Sequence, residues 1–402
     1  MNQLISILIV LNGIVLAVWI LRIFVLAMAE RILKPLRANM YPDAGDELPS
    51  VSMLVAAKEE EDNIEACIRS VAAQDYPNLQ IVAVNDRSDD ATGPILDRLA
   101  AEHPRLTVRH VTQLREGWFG KNNAMREGVE AAEGEWLCFT DADCIQISPR
   151  SVRIAMRYAL EKNADFLSVL PSHEAHSFWE KTVQPACSAV MILWFSPLIV
   201  NNPKRKTAYA NGAFMLMKRS CYEAIGGHDR VRDQINEDMH MARIAKGEGQ
   251  RLVVVGNHDL YSVRMYGTLS QIWRGWTRIF CGSFTSLKRL WVAAGFVAFF
   301  TFLPWLSFIF AAIADGLTAE RADIESLKYT SLGACAAQLA TMSLFYAISR
   351  VGFLYGLTYP IGALLSMGTL LNAIRCASGF GAIKWRGTTY RDGAIAQSAK
   401  AA

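Results

Sequence analysis

The eight cysteines of this 402-residue chain stand singly, with no Cys-x-x-Cys and no zinc-finger spacing. That pattern argues against a disulfide framework and fits reduced thiols in a protein facing the cytosol. An excess of one charge is also missing: 41 Lys and Arg against 38 Asp and Glu leave a net charge of +3. There is thus no basic footprint, and no nucleic-acid partner is expected. No Gly-x-Gly-x-x-Gly follows the first strand-like run, and no Gly-x-x-x-x-Gly-Lys-Ser/Thr supports a phosphate loop. These absences argue against a dinucleotide enzyme and a P-loop protein. The first apolar run has no positive residues ahead of it and no small-residue cleavage site, so it reads as an uncleaved anchor rather than a signal peptide.

What the chain has in abundance is apolar surface. Hydrophobic residues make up 52% and the mean hydropathy is +0.17, too apolar for a soluble enzyme of this length. Residues 4–29 are long enough to cross a hydrocarbon core of ~30 Å. Arg31, Lys34 and Arg37 follow that run, which by the positive-inside rule places the N-terminus outside and the rest in the cytoplasm. Residues 291–314, 329–348 and 352–374 are apolar again, separated by a charged loop at 315–328 and by Ser349-Arg350. Three crossings would put the C-terminus outside, whereas Arg375, Lys384, Arg386 and Arg391 favour the cytoplasm. One of these segments is therefore expected to be re-entrant or interfacial. A further apolar stretch, 185–200, is short, and a crossing there would separate Asp143 from Asp238. It reads as an interfacial or acceptor-lining helix, or as an ordinary core helix, with Lys204-Arg-Lys206 near lipid headgroups or in a solvated loop.

Between these regions, short apolar runs at 50–57, 79–85, 106–111, 135–140 and 165–170 alternate with helical patterns. Examples are Ile64, Cys67, Ile68 and Val71, and residues 124–132 and 151–160. Such alternation predicts a parallel sheet covered on both faces, with ligands at the carboxyl ends of its strands. Carboxylates gather at those ends. The 135–140 strand delivers Asp141 and Asp143, two residues apart and so on one side of a strand. That pair suits Mg²⁺ or Mn²⁺ carrying phosphate and water oxygens, or is simply a solvated turn. Residues 209–218 read as a strand in which Gly212 permits close approach by a ligand.

The sequences Ala57-Lys-Glu-Glu60, Val84-Asn-Asp86-Arg-Ser-Asp-Asp90, Gly117-Trp-Phe-Gly-Lys121, Asp141-Ala-Asp143 and Glu237-Asp238 together resemble a family 2 glycosyltransferase of the GT-A fold over roughly residues 50–265. The resemblance implies a nucleotide-sugar site. Glu60, Asp86 and Asp141 would hold the nucleotide, Lys121 would be a cationic partner for phosphate, and Asp143 would ligate a divalent metal. Asp238 would act as catalytic base, with Glu237 in support. Lys121 also reads as a solvated lysine, and Glu237 and Asp238 as helix caps. The first motif departs from the family's Pro-Ala-x-Asn-Glu in having Ala56 and Glu59.

Gln271-Ile-Trp-Arg274-Gly-Trp276 resembles the Gln-x-x-Arg-Trp motif of membrane-bound synthases and ceramide glucosyltransferases, with Gly275 intruding. It makes Arg274 a candidate catalytic residue, while Trp273, Trp276, Phe280 and Phe284 read as the apolar face of an amphipathic helix. The segment Ile383-Lys-Trp385-Arg-Gly387-Thr-Thr-Tyr390 resembles a tail of hopanoid-associated and carotenoid glycosyltransferases, with Thr388 in place of Arg. The expected organisation is a membrane anchor (1–30), a cytosolic GT-A domain (45–265), interfacial helices (266–290), membrane segments (291–375) and a basic tail (376–402). The expected activity is inverting transfer from a nucleotide-diphosphate sugar, a UDP-hexose, to a membrane-lipid hydroxyl at the cytoplasmic membrane. A processive polysaccharide synthase is the alternative, and a non-catalytic scaffold ranks last.

Overall fold

The first apolar run forms one helix, α1 (Asn2–Leu33). This computed structural model describes residues 2–42, 47–284, 286–315, 321–381, 383–385, 388–391 and 394–395. Parts of the expected charged loop (316–320), of the domain's leading edge (43–46) and of the basic tail (382, 386–387, 392–393, 396–402) lie outside the described residues. After α1 come β1 (Val51–Ala57), α2 (Ile64–Ala72), β2 (Leu79–Asp86), α3 (Thr92–Glu102), β3 (Leu106–Val111), α4 (Gly120–Glu130), β4 (Trp136–Asp141), β5 (Cys144–Gln146), α5 (Ser151–Glu161), β6 (Phe166–Leu170) and β7 (Ser172–His173). Then follow α6 (Phe178–Trp194), α7 (Pro197–Val200), β8 (Met215–Lys218), α8 (Arg219–Ala224), α9 (Glu237–Gly247), β9 (Leu252–Gly256) and β10 (Tyr261–Val263). The chain closes with α10 (Leu269–Ser283), α11 (Leu287–Val297), α12 (Leu303–Ala314), α13 (Arg321–Ile348), α14 (Tyr359–Ala377) and short tail strands.

The chain divides into two units: Leu33–Glu174, Trp194–Met265 and the residues from Gly379 form one, while Met1–Ile32, Ala175–Leu193 and Tyr266–Ser378 form the other. In the first unit, β1, β2 and β4 are near-continuous apolar runs because helices bury both of their faces. Helix α2 turns Ile64, Cys67, Ile68 and Val71 onto one buried stripe, each contributing ~1.5–3 kcal/mol of burial. One core layer holds these with residues of α3 and α5, and the opposite layer holds Ala124 and Met125 of α4 with Met241, Ala242 and Ala245 of α9.

The sheet order is β3-β2-β1-β4-β8-β6-β9, with β8 antiparallel to both neighbours and the other pairs parallel. Chain order reverses between β1 and β4, where an open α/β sheet leaves a crevice. Register fixes what enters it. Ala57 faces Asn85 and Ala56 faces Asp141, so Asp86 and Asp141 emerge at the same end, on either side of β1. β5, β7 and β10 form a second small sheet.

Two local expectations are corrected. Only Met215–Lys218 of the expected 209–218 strand is extended. Upstream, the Asn211 side chain accepts the Ala213 N–H at 3.0 Å and the Asn211 N–H donates to Ser168 Oγ at 2.8 Å. This turn chemistry outcompetes the ladder. Likewise, β4 ends at Asp141, and Ala142-Asp143 is a turn into β5. The placement of Asp143 thus comes from that turn rather than from strand periodicity.

Among the described residues, five helical stretches, lying wholly or mostly in the second unit, are long and apolar enough to cross a membrane: Gln3–Leu33, Phe178–Val200, Leu287–Ala314, Ala322–Ile348 and Phe353–Ala377. The second of them is a special case. β4 precedes α6 and β8 follows it, yet they are hydrogen-bonded neighbours with Phe139 opposite Met215. A single crossing by α6 would put a bilayer between two paired strands, so both of its ends return to one side. Some buried polar groups inside this unit find partners there, as an apolar medium favours. Pro304 has no N–H for the Phe300 carbonyl, and that carbonyl accepts from Trp19 Nε1 at 2.9 Å and Gln338 Nε2 at 3.2 Å, at a π-turn spanning Ala298–Phe302.

Candidate active site

Four charged groups meet around Gly212. Lys121, in the first turn of α4, places Nζ 2.6 Å from Asp141 Oδ1 and 2.8 Å from Glu237 Oε1. The Asp238 carboxylate accepts the Gly212 N–H at 2.8 Å through Oδ2 and the Met239 N–H at 2.6 Å through Oδ1. A Cβ on Gly212 would lie 3.0 Å from Lys121 Nζ, 3.5 Å from Asp238 Oδ2 and 3.6 Å from Glu237 Oε1. The absent Cβ at Gly212 leaves room for these side chains to approach its backbone.

The electrostatics follow from the crowding. Burial alone would lower the Lys121 ammonium, but the Asp141 and Glu237 charges outweigh it and hold the group well above its ordinary value. Asp238 keeps part of its surface open, yet its carboxyl is packed deeply enough that burial, helped by the Glu237 charge, pushes it up to about 7 against Lys121 and the two N–H donors. Asp143 also rises to about 7, through burial and then through the charges of Asp141 and Glu60. A carboxylate near neutrality is poised to take a proton at physiological pH.

Two further expected residues, Asp86 and Glu60, belong to the same unit as this cluster. Asp86, 3% exposed, forms a two-point ion pair with Arg87, Nε to Oδ1 at 2.8 Å and Nη2 to Oδ2 at 3.0 Å. Arg87 stands at φ +55°, a left-handed conformation that folds its side chain back onto the preceding residue. The pair lies over Gly120, where a Cβ would be 2.6 Å from Asp86 Oδ2. Glu60 Oε2 accepts from Asn63 Nδ2 at 2.8 Å. The residue that sequence reasoning missed is Asn122, whose buried amide donates to the carbonyls of Val231, Arg232 and Gln234 at 2.7, 3.3 and 3.0 Å. It pins the loop that leads to Glu237 and Asp238, and no spacing in the sequence signals that role.

Among the described residues, no three His, Cys, Asp or Glu side chains converge as a protein-only metal cage. The donor set still fits a hard cation. Asp143 is crowded by Asp141 and Glu60, and an ion that keeps water and phosphate oxygens needs only one or two carboxylates.

The model of the family described as glycosyltransferase-like family 2 matches residues 49–274, more than half of the chain. The chain belongs to glycosyltransferase family 2. A 4,4'-diaponeurosporenoate glycosyltransferase of Staphylococcus aureus (strain USA300) is 25% identical over 354 residues, covering 85% of this chain and 88% of that relative. The homologue from the bovine strain RF122 / ET3-1 is 24% identical over 356 residues, with the same two coverages. The mannosyltransferase PcManGT of Pyrobaculum calidifontis, solved with GDP-Man and Mn²⁺, superposes with a TM-score of 0.51 at 21% identity, over 91% of this chain and 97% of that one. That superposition supports the GT-A-like fold, which carries apolar helices toward both ends of the sequence.

The family's Gln-x-x-Arg-Trp counterpart lies on α10, in the apolar-helix unit. Gln271 Oε1 accepts the Gly267 and Thr268 N–H groups at 3.0 and 3.1 Å, closing a capping box with Thr268. Gly275 admits the ring of Tyr266, since a Cβ there would meet it at 2.0 Å. Trp276 and Phe280 face inward, whereas Arg274 is exposed. Gly275→Ala should therefore cost about 1–3 kcal/mol through overpacking and lower the thermal midpoint of the purified protein. An unchanged midpoint would mean that the Tyr266 ring moves aside freely.

Proposed function

We propose that this glycosyltransferase transfers one hexose from a nucleotide-diphosphate sugar, a UDP-hexose, to a hydroxyl of a membrane lipid, with inversion at the anomeric carbon. The reading rests on the Asp238 carboxylate, held by two backbone N–H groups beside Lys121 and raised to about 7, in a chain with apolar helices of membrane length. The carotenoid substrate in the name of the Staphylococcus aureus relative supports an acceptor drawn from the bilayer.

The acceptor hydroxyl gives its proton to Asp238 as its oxygen bonds to the anomeric carbon. The bond from that carbon to the diphosphate oxygen breaks, and its electron pair leaves with the nucleoside diphosphate. Glu237 keeps Lys121 in place, and Lys121 offers positive charge beside Asp141. Glu60, Asp86 and Asp141 hold the nucleotide, with Arg87 yielding one face of Asp86 to it. Asp143 would hold Mg²⁺ or Mn²⁺, which would supply positive charge to the departing diphosphate. Arg274 is a catalytic candidate on the resemblance of its motif alone. Arg31, Lys34 and Arg37 favour a catalytic unit on the cytoplasmic side of the cell membrane.

Membranes containing the protein, incubated with a panel of radiolabelled nucleotide sugars, should yield label that extracts into organic solvent as a one-sugar lipid. Label in a long water-soluble polymer would replace this reading with a processive synthase. No transfer from any donor would remove the activity itself.

A further inference from the structure

The free edge of β9 carries a surface that the reaction does not use. β9 pairs on one side with β6. Its other side is closed by two segments far apart in sequence. Asn201 joins Val254 through both amide atoms, Nδ2 to the carbonyl at 2.8 Å and Oδ1 from the N–H at 2.7 Å. Two residues further along, about 7 Å on, the Leu36 N–H donates to the Gly256 carbonyl at 2.8 Å and the His258 N–H donates to the Leu36 carbonyl at 2.8 Å. Lys246 fixes the same region by donating to the carbonyls of Val200 and Thr207. A sheet edge is covered, and in being covered it is dressed with cations.

The dressing has a definite composition. Leu198 and Ile199 are 42% and 38% exposed, and Arg37, Lys204, Arg205 and Lys206 are exposed beside them in the chain segments that β9 anchors. These four cations make no ion pair with a described residue. Of the acids near this edge, Asp259 accepts the Ala38 N–H at 2.7 Å, and Glu161, which lies within electrostatic range of Lys34, is paired with Lys162 at 2.7 Å. Exposed aliphatic side chains among unpaired cations complement a surface that is anionic outside and apolar beneath. The segment carrying Arg37 follows directly on a helix of membrane-spanning length, so lipid is the partner within reach.

We propose that this edge docks on anionic lipid headgroups, with Arg37, Lys204, Arg205 and Lys206 over the phosphates and Leu198 and Ile199 entering the acyl boundary. The proposal rests on the membrane placement above but not on the sugar-transfer chemistry. Its test therefore reads no turnover.

The full chain, with Cys281 replaced by Ser because the other cysteines are buried, carries an environment-sensitive fluorophore at Leu198→Cys. It is reconstituted in nanodiscs of phosphatidylcholine alone or with about 30% phosphatidylglycerol. Quenching by nitroxide-labelled lipid should be strong only with the anionic lipid. It should be lost in about 1 M salt, where the screening length is ~3 Å. The triple variant Lys204→Gln, Arg205→Gln, Lys206→Gln should shift the docked-to-free ratio by at least about tenfold. A label at exposed Glu116→Cys serves as the undocked reference. Quenching at 198 no greater than at 116 in either lipid would overturn the proposal, as would equal quenching with and without phosphatidylglycerol. Sugar transfer measured on the same nanodiscs reports separately on the activity.

Discussion

Asp238→Asn is expected to lower sugar transfer by about 10²–10⁴-fold, the range typical for loss of a general base, while nucleotide-sugar binding stays close to wild type. The amide keeps an acceptor for the Gly212 N–H but cannot take the acceptor's proton. Folding should tolerate the change. The lost charge at the start of α9 costs ~0.3–1 kcal/mol, and removing its repulsion with Glu237 offsets part of that. Because burial and Glu237 raise the carboxyl to about 7, the base is in its working, deprotonated form above that pH. In the wild type, kcat/KM should therefore rise with a slope of one as pH increases toward about 7 and level off beyond it. Steady-state kinetics across pH, with isothermal titration of the nucleotide sugar, check both parts. A variant that turns over normally, or that keeps the same acid limb, would take Asp238 out of the chemistry.

The second large effect is expected at Asp143. Asp143→Asn should lose metal-stimulated turnover by about 10²–10³-fold, the scale of removing one element of charge stabilisation from a developing anion. A thermal readout separates this from misfolding. In the wild type without metal, the Asp143 carboxyl is strained by burial and by Asp141 and Glu60, so Mn²⁺ should raise the midpoint by binding the folded state. The Asn variant should start at an equal or higher midpoint, because a crowded buried charge has gone, and should gain little from Mn²⁺. An Asn variant that still responds to Mn²⁺ as the wild type does would move the metal to another residue.

The sequence by itself determined the alternation of strand and helix, the carboxylates at strand ends and the apolar segments. These properties repeat along the chain or depend on near neighbours, and periodicity and turn chemistry report them directly. Strands expected at 50–57, 79–85, 106–111, 135–140 and 165–170 form within a residue or so of those limits. The motifs at their ends give the family, because the sheet's connectivity sends every such end into one crevice.

What only the tertiary structure decided is which groups meet. Lys121 lies between Asp141 and Glu237, the latter 116 positions later, and Asp238 is gripped by Gly212 across 26 positions. No local rule selects such partners. Gln271 goes to a helix cap and Gly275 to the Tyr266 ring, neighbours that the motif's resemblance did not indicate. The stretch Phe178–Val200, α6 with α7, has the length and hydropathy of a membrane span, yet hydrogen bonds between β4 and β8 hold both of its ends on one side. Hydropathy reports the solvent a segment tolerates. The side on which its ends emerge is set by pairings between strands that the segment itself separates in sequence.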